Sequence, residues 1–119
     1  MFRILGLSGT TLILIMAAFH GSGLRYVNGI MSESNAAAFI KDIFPILFLQ
    51  PSLHLLTLAA FAVLGLFFMP DGRRVLQLTA LAILVDAVLA LVLQAWIPAG
   101  MLVLAASLLF AATFYHQAK

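Results

Sequence analysis

One carboxylate and a few imidazoles carry most of the chemistry open to this chain. Asp86 stands near the middle of an apolar run, 75–98, that holds no other charged residue. A carboxylate at mid-membrane depth is costly, and such residues usually face a bundle interior or a polar cavity where they bind protons, ions or polar ligands. Residues three or four apart share a helix face, so Thr79, Ala82, Asp86 and Ala90 form one small, polar stripe. Thr57 and Thr10, on other apolar runs, supply hydroxyls that a carboxyl could meet across helices. Asp86, Thr79, Thr57 and Thr10 are therefore the candidate ligand- or proton-binding residues. With no Lys or Arg inside the apolar runs, Asp86 is expected to point inward and to be largely protonated at neutral pH. The competing expectation is a packing seam in which Asp86 is a structural carboxylate bonded to a Thr or Ser hydroxyl.

His20 closes the first apolar run and His54 lies just after Pro51, so both fall toward one end of the molecule, with His116 at the other. Met16 precedes His20 by four residues on the same face, and Met31 follows in the loop. Imidazole and thioether suit a soft metal or haem iron, which makes His20, His54 and Met16 the metal candidates. No paired His-x-x-x-His spacing accompanies them, so no metal or cofactor is assigned, with haem or quinone as the alternative. At ~1.5 Å rise per residue, a second span beginning at Pro51 puts His54 about 12 Å above Asp86, out of contact, with Thr57 between them. The Gly21-Ser22-Gly23 stretch lacks the strand context of a phosphate loop, and no Gly-x-Ser-x-Gly elbow is present. No catalytic residue is assigned, and an enzyme is not expected.

Lipid must position these groups. The chain of 119 residues is 65% hydrophobic and only 8% charged, with mean hydropathy +1.18, whereas soluble domains run near a quarter charged. At this length the reading is a single integral membrane domain, 1–119, with no room for a separate catalytic head. Cysteine is absent, which removes disulfides, thiolate metal sites and Cys nucleophiles. The net charge of +2 contains no basic run of the kind that binds nucleic acid.

A spanning helix needs about 20 apolar residues. Four fit, at about 4–20, 51–69, 75–97 and 100–116, with an outer loop at 21–50. The first is read as uncleaved, because no small-x-small site follows Ala18. The predicted fold is all-α: a four-transmembrane-helix antiparallel bundle with a short interfacial helix in the first loop. That helix is placed at 35–44, capped by Ser32 or Ser34 and presenting Phe39, Ile40, Ile43 and Phe44. Pro45 and Pro51 then bracket either a kinked helix or a non-helical approach to the second span. Arg3, Arg73, Arg74 and Lys119 fall on one side and Arg25 and Lys41 on the other, which predicts both termini in the cytoplasm. Trp96 and Tyr26 suit the outer interface, and Tyr115 the inner one.

Four spans in this length resemble the small multidrug resistance transporters, but the essential acid of that family is a first-span glutamate. Here the first run offers only Ser8, Thr10 and Thr11 as polar residues. The layout is more similar to the small four-span DoxX-like bacterial membrane proteins: a long outer loop with an amphipathic helix, an Arg73-Arg74 turn and a closely spaced final pair. That resemblance implies a four-helix bundle with an accessory role, in the bacterial inner membrane. Three functions follow. The first is an accessory or lipophilic-ligand-binding subunit of a membrane complex. The others are a proton-coupled small-molecule transporter acting as an oligomer and a haem- or quinone-binding redox subunit using His20 and His54. The expected partners are membrane lipids and either further copies of the chain or a larger membrane complex.

Overall fold

The computed structural model describes residues 1–115. Among them it shows five helices: α1 (Phe2–Ser22), α2 (Leu24–Glu33), α3 (Ala38–Phe67), α4 (Gly72–Val92) and α5 (Trp96–Phe114). α1, α3, α4 and α5 are long and apolar enough to cross a membrane, α1 running into α2 almost without a break. The protein is thus an all-α, four-helix bundle of membrane-spanning type. α1 packs on α3 and α5, and α4 packs on the same two, so every lateral neighbour in the bundle is antiparallel.

Two surfaces with opposite needs explain this arrangement. Facing inward, Ile13, Leu76, Ile83, Leu109 and Thr113 are fully buried, and small residues bring the backbones close. Gly9 illustrates the constraint: a Cβ there would stand 3.0 Å from the Ala105 carbonyl of α5. Outward, residues such as Leu78, Val85, Val92 and Phe19 are left exposed, which is tolerable only where the solvent is itself hydrocarbon. Of the small stripes legible in the sequence, Gly6, Gly9, Ala62, Gly65, Ala105, Ala106 and Ala112 are buried seams. Gly100 and Ser107 are not: both are exposed, and a Cβ on Gly100 would meet open space.

The first loop departs most from expectation. The short amphipathic helix is α2, Leu24–Glu33, while residues from Ala38 onward already belong to α3. Ser32 and Ser34 close α2 instead of capping its successor, their hydroxyls donating to the Gly29 and Met31 carbonyls at 2.7 and 2.8 Å. Lys41 Nζ also donates to the Ser32 carbonyl at 3.0 Å. Helix α3 runs unbroken through Pro45 and Pro51. Proline removes one donor and crowds the preceding turn, yet membrane helices tolerate it where neighbouring groups satisfy the freed carbonyls. Pro51 removes the donor that the Leu47 carbonyl would otherwise accept from, and at the next residue His20 Nε2 on α1 donates to the Phe48 carbonyl at 2.9 Å.

Length mismatch then creates space. At ~1.5 Å per residue the 30 residues of α3 reach about 45 Å, and the 21 of α4 about 32 Å. α4 ends at Val92, not near residue 97, because Gln94 turns the chain with φ 58° and Ala95 N donates back to the Ala90 carbonyl at 2.8 Å. α5 begins at Trp96, and Pro98 sits in its first turn, where no backbone donor is required. The α4–α5 hairpin therefore stops short while α1, α2 and α3 continue beyond it, giving a molecule 60 Å long. At the opposite end, the Arg3 guanidinium lies 5.3 Å from the Phe67 ring centre, beside the turn that carries Arg73 and Arg74.

Candidate functional site

Under that overhang lies a cavity of about 630 Å³. Every spanning helix contributes to it: Met16 and His20 from α1, Phe48 and His54 from α3, Asp86 and Ala90 from α4, and Leu102 from α5. Its rim includes Phe19, Leu47, Leu89 and Leu93, all exposed on the face that hydrocarbon would cover.

The polar centre is a pair. His54 Nε2 lies 3.3 Å from Asp86 Oδ2, with the imidazole half-exposed and the carboxylate about one-fifth exposed. Oδ2 itself is buried and makes no well-formed hydrogen bond, so His54 is the group that answers its charge. This corrects the expectation that the two residues stand about 12 Å apart. The count from Pro51 fails because α3 starts thirteen residues earlier, at Ala38, so Pro51 does not mark the membrane boundary. The α3–α4 turn is the proper reference: His54 lies thirteen residues before the end of α3 and Asp86 fourteen after the start of α4. Equal arms of an antiparallel hairpin put them level. The premise of a lone carboxyl with no base in reach falls with the old count.

Of the threonines, none reaches Asp86. Thr79 donates to the Val75 carbonyl at 2.8 Å, Thr10 to Gly6 at 2.8 Å and Thr57 to Leu53 at 2.9 Å, each one turn back on its own helix. A Thr hydroxyl finds the i−4 carbonyl before it finds a neighbouring helix. Thr79 and Thr10 are buried seam residues, and Thr57 is exposed, so the hydroxyl-bonded structural carboxylate is not formed either.

The three metal candidates, Met16, His20 and His54, all line the cavity, whereas Met31 on α2 does not. His116 lies outside the described residues. His20 is fixed twice, by its bond to the Phe48 carbonyl and by stacking on the Phe48 ring with centroids 4.5 Å apart. Its Nε2 is thereby committed, and that of His54 faces Asp86. An axial haem ligand would have to break one of these contacts, so the donor set as arranged does not fit haem iron. Among the described residues, no three His, Asp or Glu side chains converge as a metal cluster would require.

Phe48 is the functional residue that sequence reasoning missed. No signal in the sequence pointed to it, since its part is played by a backbone carbonyl and a ring stacked on His20. The site combines an aromatic wall, an acid–base pair and an apolar mouth. No family model, curated protein or solved structure matches this chain.

Proposed function

We propose that this integral membrane protein binds a lipophilic molecule in the cavity beneath the α1–α3 overhang, with the polar head of the ligand against His54 and Asp86. The observation that carries the reading is a largely apolar chamber, rimmed by exposed apolar side chains, whose one acid–base pair lies in its wall. Such a chamber with a few convergent polar groups is the usual form of a small-molecule site. The role is that of an accessory or ligand-binding subunit, working with further copies of itself or within a larger membrane complex, as the DoxX-like layout suggests. Protein purified in mild detergent is expected to carry a lipophilic molecule detectable by mass spectrometry after solvent extraction. The same molecule should be absent from Ala90→Trp, which places an indole in the chamber. Equal yields from both proteins would move the ligand elsewhere.

A second reading is proton-coupled transport by an oligomer, favoured by the His54–Asp86 pair, since imidazole is the side chain that changes charge near neutrality. It shares the same site and needs, in addition, access from both sides of the membrane.

For orientation, we place the protein in the bacterial inner membrane with both termini and the α3–α4 turn in the cytoplasm. Arg3, Arg73 and Arg74 gather at that end, and Arg25 and Lys41 at the other. Cysteines introduced at Asn35 and Asp71, both exposed, report the two ends. An impermeant thiol reagent added to intact cells should label Asn35→Cys and spare Asp71→Cys. The opposite pattern would reverse the topology.

A further inference from the structure

The hydrogen-bonding inventory of the cavity is one-sided. Its polar lining consists of His20, Ser22, Gln50, His54 and Asp86, with no Lys or Arg. Three of the donors are already directed to protein oxygens. His20 Nε2 donates to the Phe48 carbonyl at 2.9 Å and Ser22 Oγ to the Phe19 carbonyl at 2.7 Å. The third, His54 Nε2, faces Asp86 Oδ2 at 3.3 Å. Placing the proton of a neutral His54 on Nδ1 would set a nitrogen lone pair against a buried carboxylate oxygen that has no other partner. An ionised Asp86 keeps that proton on Nε2, as second-shell carboxylates do for metal-bound histidines, and leaves Nδ1 as an acceptor. Acceptors remain, and the amide of Gln50 is the one side-chain donor in the lining without a protein partner.

We infer that the ligand presents a hydroxyl to this site, and that its head is a hydroxylated aromatic ring, a phenol or hydroquinone, donating to His54 Nδ1. The inference rests on the cavity reading above and specifies its ligand. The ring follows from the wall: Phe48 and His20 line the cavity as a stacked pair at 4.5 Å, and an aromatic head can extend that stack where a branched aliphatic one cannot. The quinone or the ether of the same ring would place an acceptor where the site already holds one. Asp86 acts here as a positioning residue, through the tautomer it imposes on His54.

The test uses two probes that differ only in the donor, 4-nonylphenol and 4-nonylanisole. Each is titrated calorimetrically at pH 8 into full-length protein in lipid nanodiscs, with empty discs subtracted. Wild type should bind the phenol about tenfold more tightly, as expected for one hydrogen bond made or lost in an apolar site. His54→Phe keeps a ring of similar size and removes the acceptor, so the two affinities should converge. In parallel, ¹⁵N spectra of histidine-labelled protein should show His54 protonated on Nε2 in the wild type, and that assignment should be perturbed in Asp86→Asn. A phenol preference that survives His54→Phe, or a His54 found protonated on Nδ1, overturns the inference. If both probes bind wild type equally and both are lost in Ala90→Trp, the cavity stands and selection for a donor falls. If Ala90→Trp binds both as wild type does, the cavity falls as well.

Discussion

Gly72→Leu is expected to destabilise the bundle severely. Gly72 is the first residue of α4, and a Cβ built there would run into the carbonyl of Gly65 on α3. The contact is mutual, since a Cβ on Gly65 would stand 3.1 Å from the Gly72 carbonyl and 3.3 Å from Val75. Backbone meets backbone, so no rotamer change can make room, and α4 must move away from α3. Overpacking that forces backbone shifts costs about 1–3 kcal/mol, occasionally more, and the larger end applies where no side chain can yield. A loss on the order of 3 kcal/mol is a large share of a typical total of about 5–15 kcal/mol. The displacement would also open the hairpin whose arms hold His54 level with Asp86. Gly100→Ala is the contrast, because its Cβ meets nothing within 4 Å and alanine favours the helix. Thermal unfolding in detergent, followed by size exclusion, should show Gly100→Ala at or above the wild type and Gly72→Leu aggregated or melting far below it. Similar melting of the two variants would mean that the crossing is looser than drawn.

The sequence announced its helices more clearly than their ends. Four apolar runs become four spanning helices because composition alone decides what can be dissolved in lipid, and their small residues become seams because lipid gives helices no other reason to approach. Pro51 misled as a span start, since membrane helices tolerate proline within their length. Here α3 runs unbroken through Pro45 and Pro51. That error propagated. A second span starting at Pro51 fixed the wrong depth for His54 and hid its pairing with Asp86, which counting outward from the helix ends at Phe67 and Gly72 reveals. Asp86 itself was legible as the one charge in its run. Phe48 was not, because its part is played by a carbonyl and by a ring face, neither of which residue type announces. The threonines failed for a local reason: each hydroxyl is satisfied within its own helix.

His54→Leu is expected to cost more than Asp86→Leu, and the asymmetry identifies which member of the pair is expensive. Removing His54 leaves the buried Asp86 Oδ2 without the one group that faces it, whereas removing Asp86 leaves a half-exposed imidazole that can remain neutral and reach polar surroundings. Breaking a fully buried pair costs about 3–5 kcal/mol. His54 is half-exposed and Asp86 one-fifth exposed, so screening reduces the expected loss to about 1–2 kcal/mol. Asp86→Leu should fall within about 0.5 kcal/mol of wild type, as changes that strand no buried group usually do. The double variant, His54→Leu with Asp86→Leu, should recover most of what His54→Leu loses, because apolar replacement of both partners removes the charge along with its need. Reversible unfolding of the four proteins at pH 7 closes the cycle, and a coupling of at least about 1 kcal/mol is the expected result. A His54→Leu variant as stable as Asp86→Leu would show that Asp86 needs no base, returning it to the lone protonated acid that its sequence setting suggested. The larger loss, rescued in the double variant, would mean that α3 and α4 hold His54 and Asp86 as a coupled acid–base pair in the wall of the cavity.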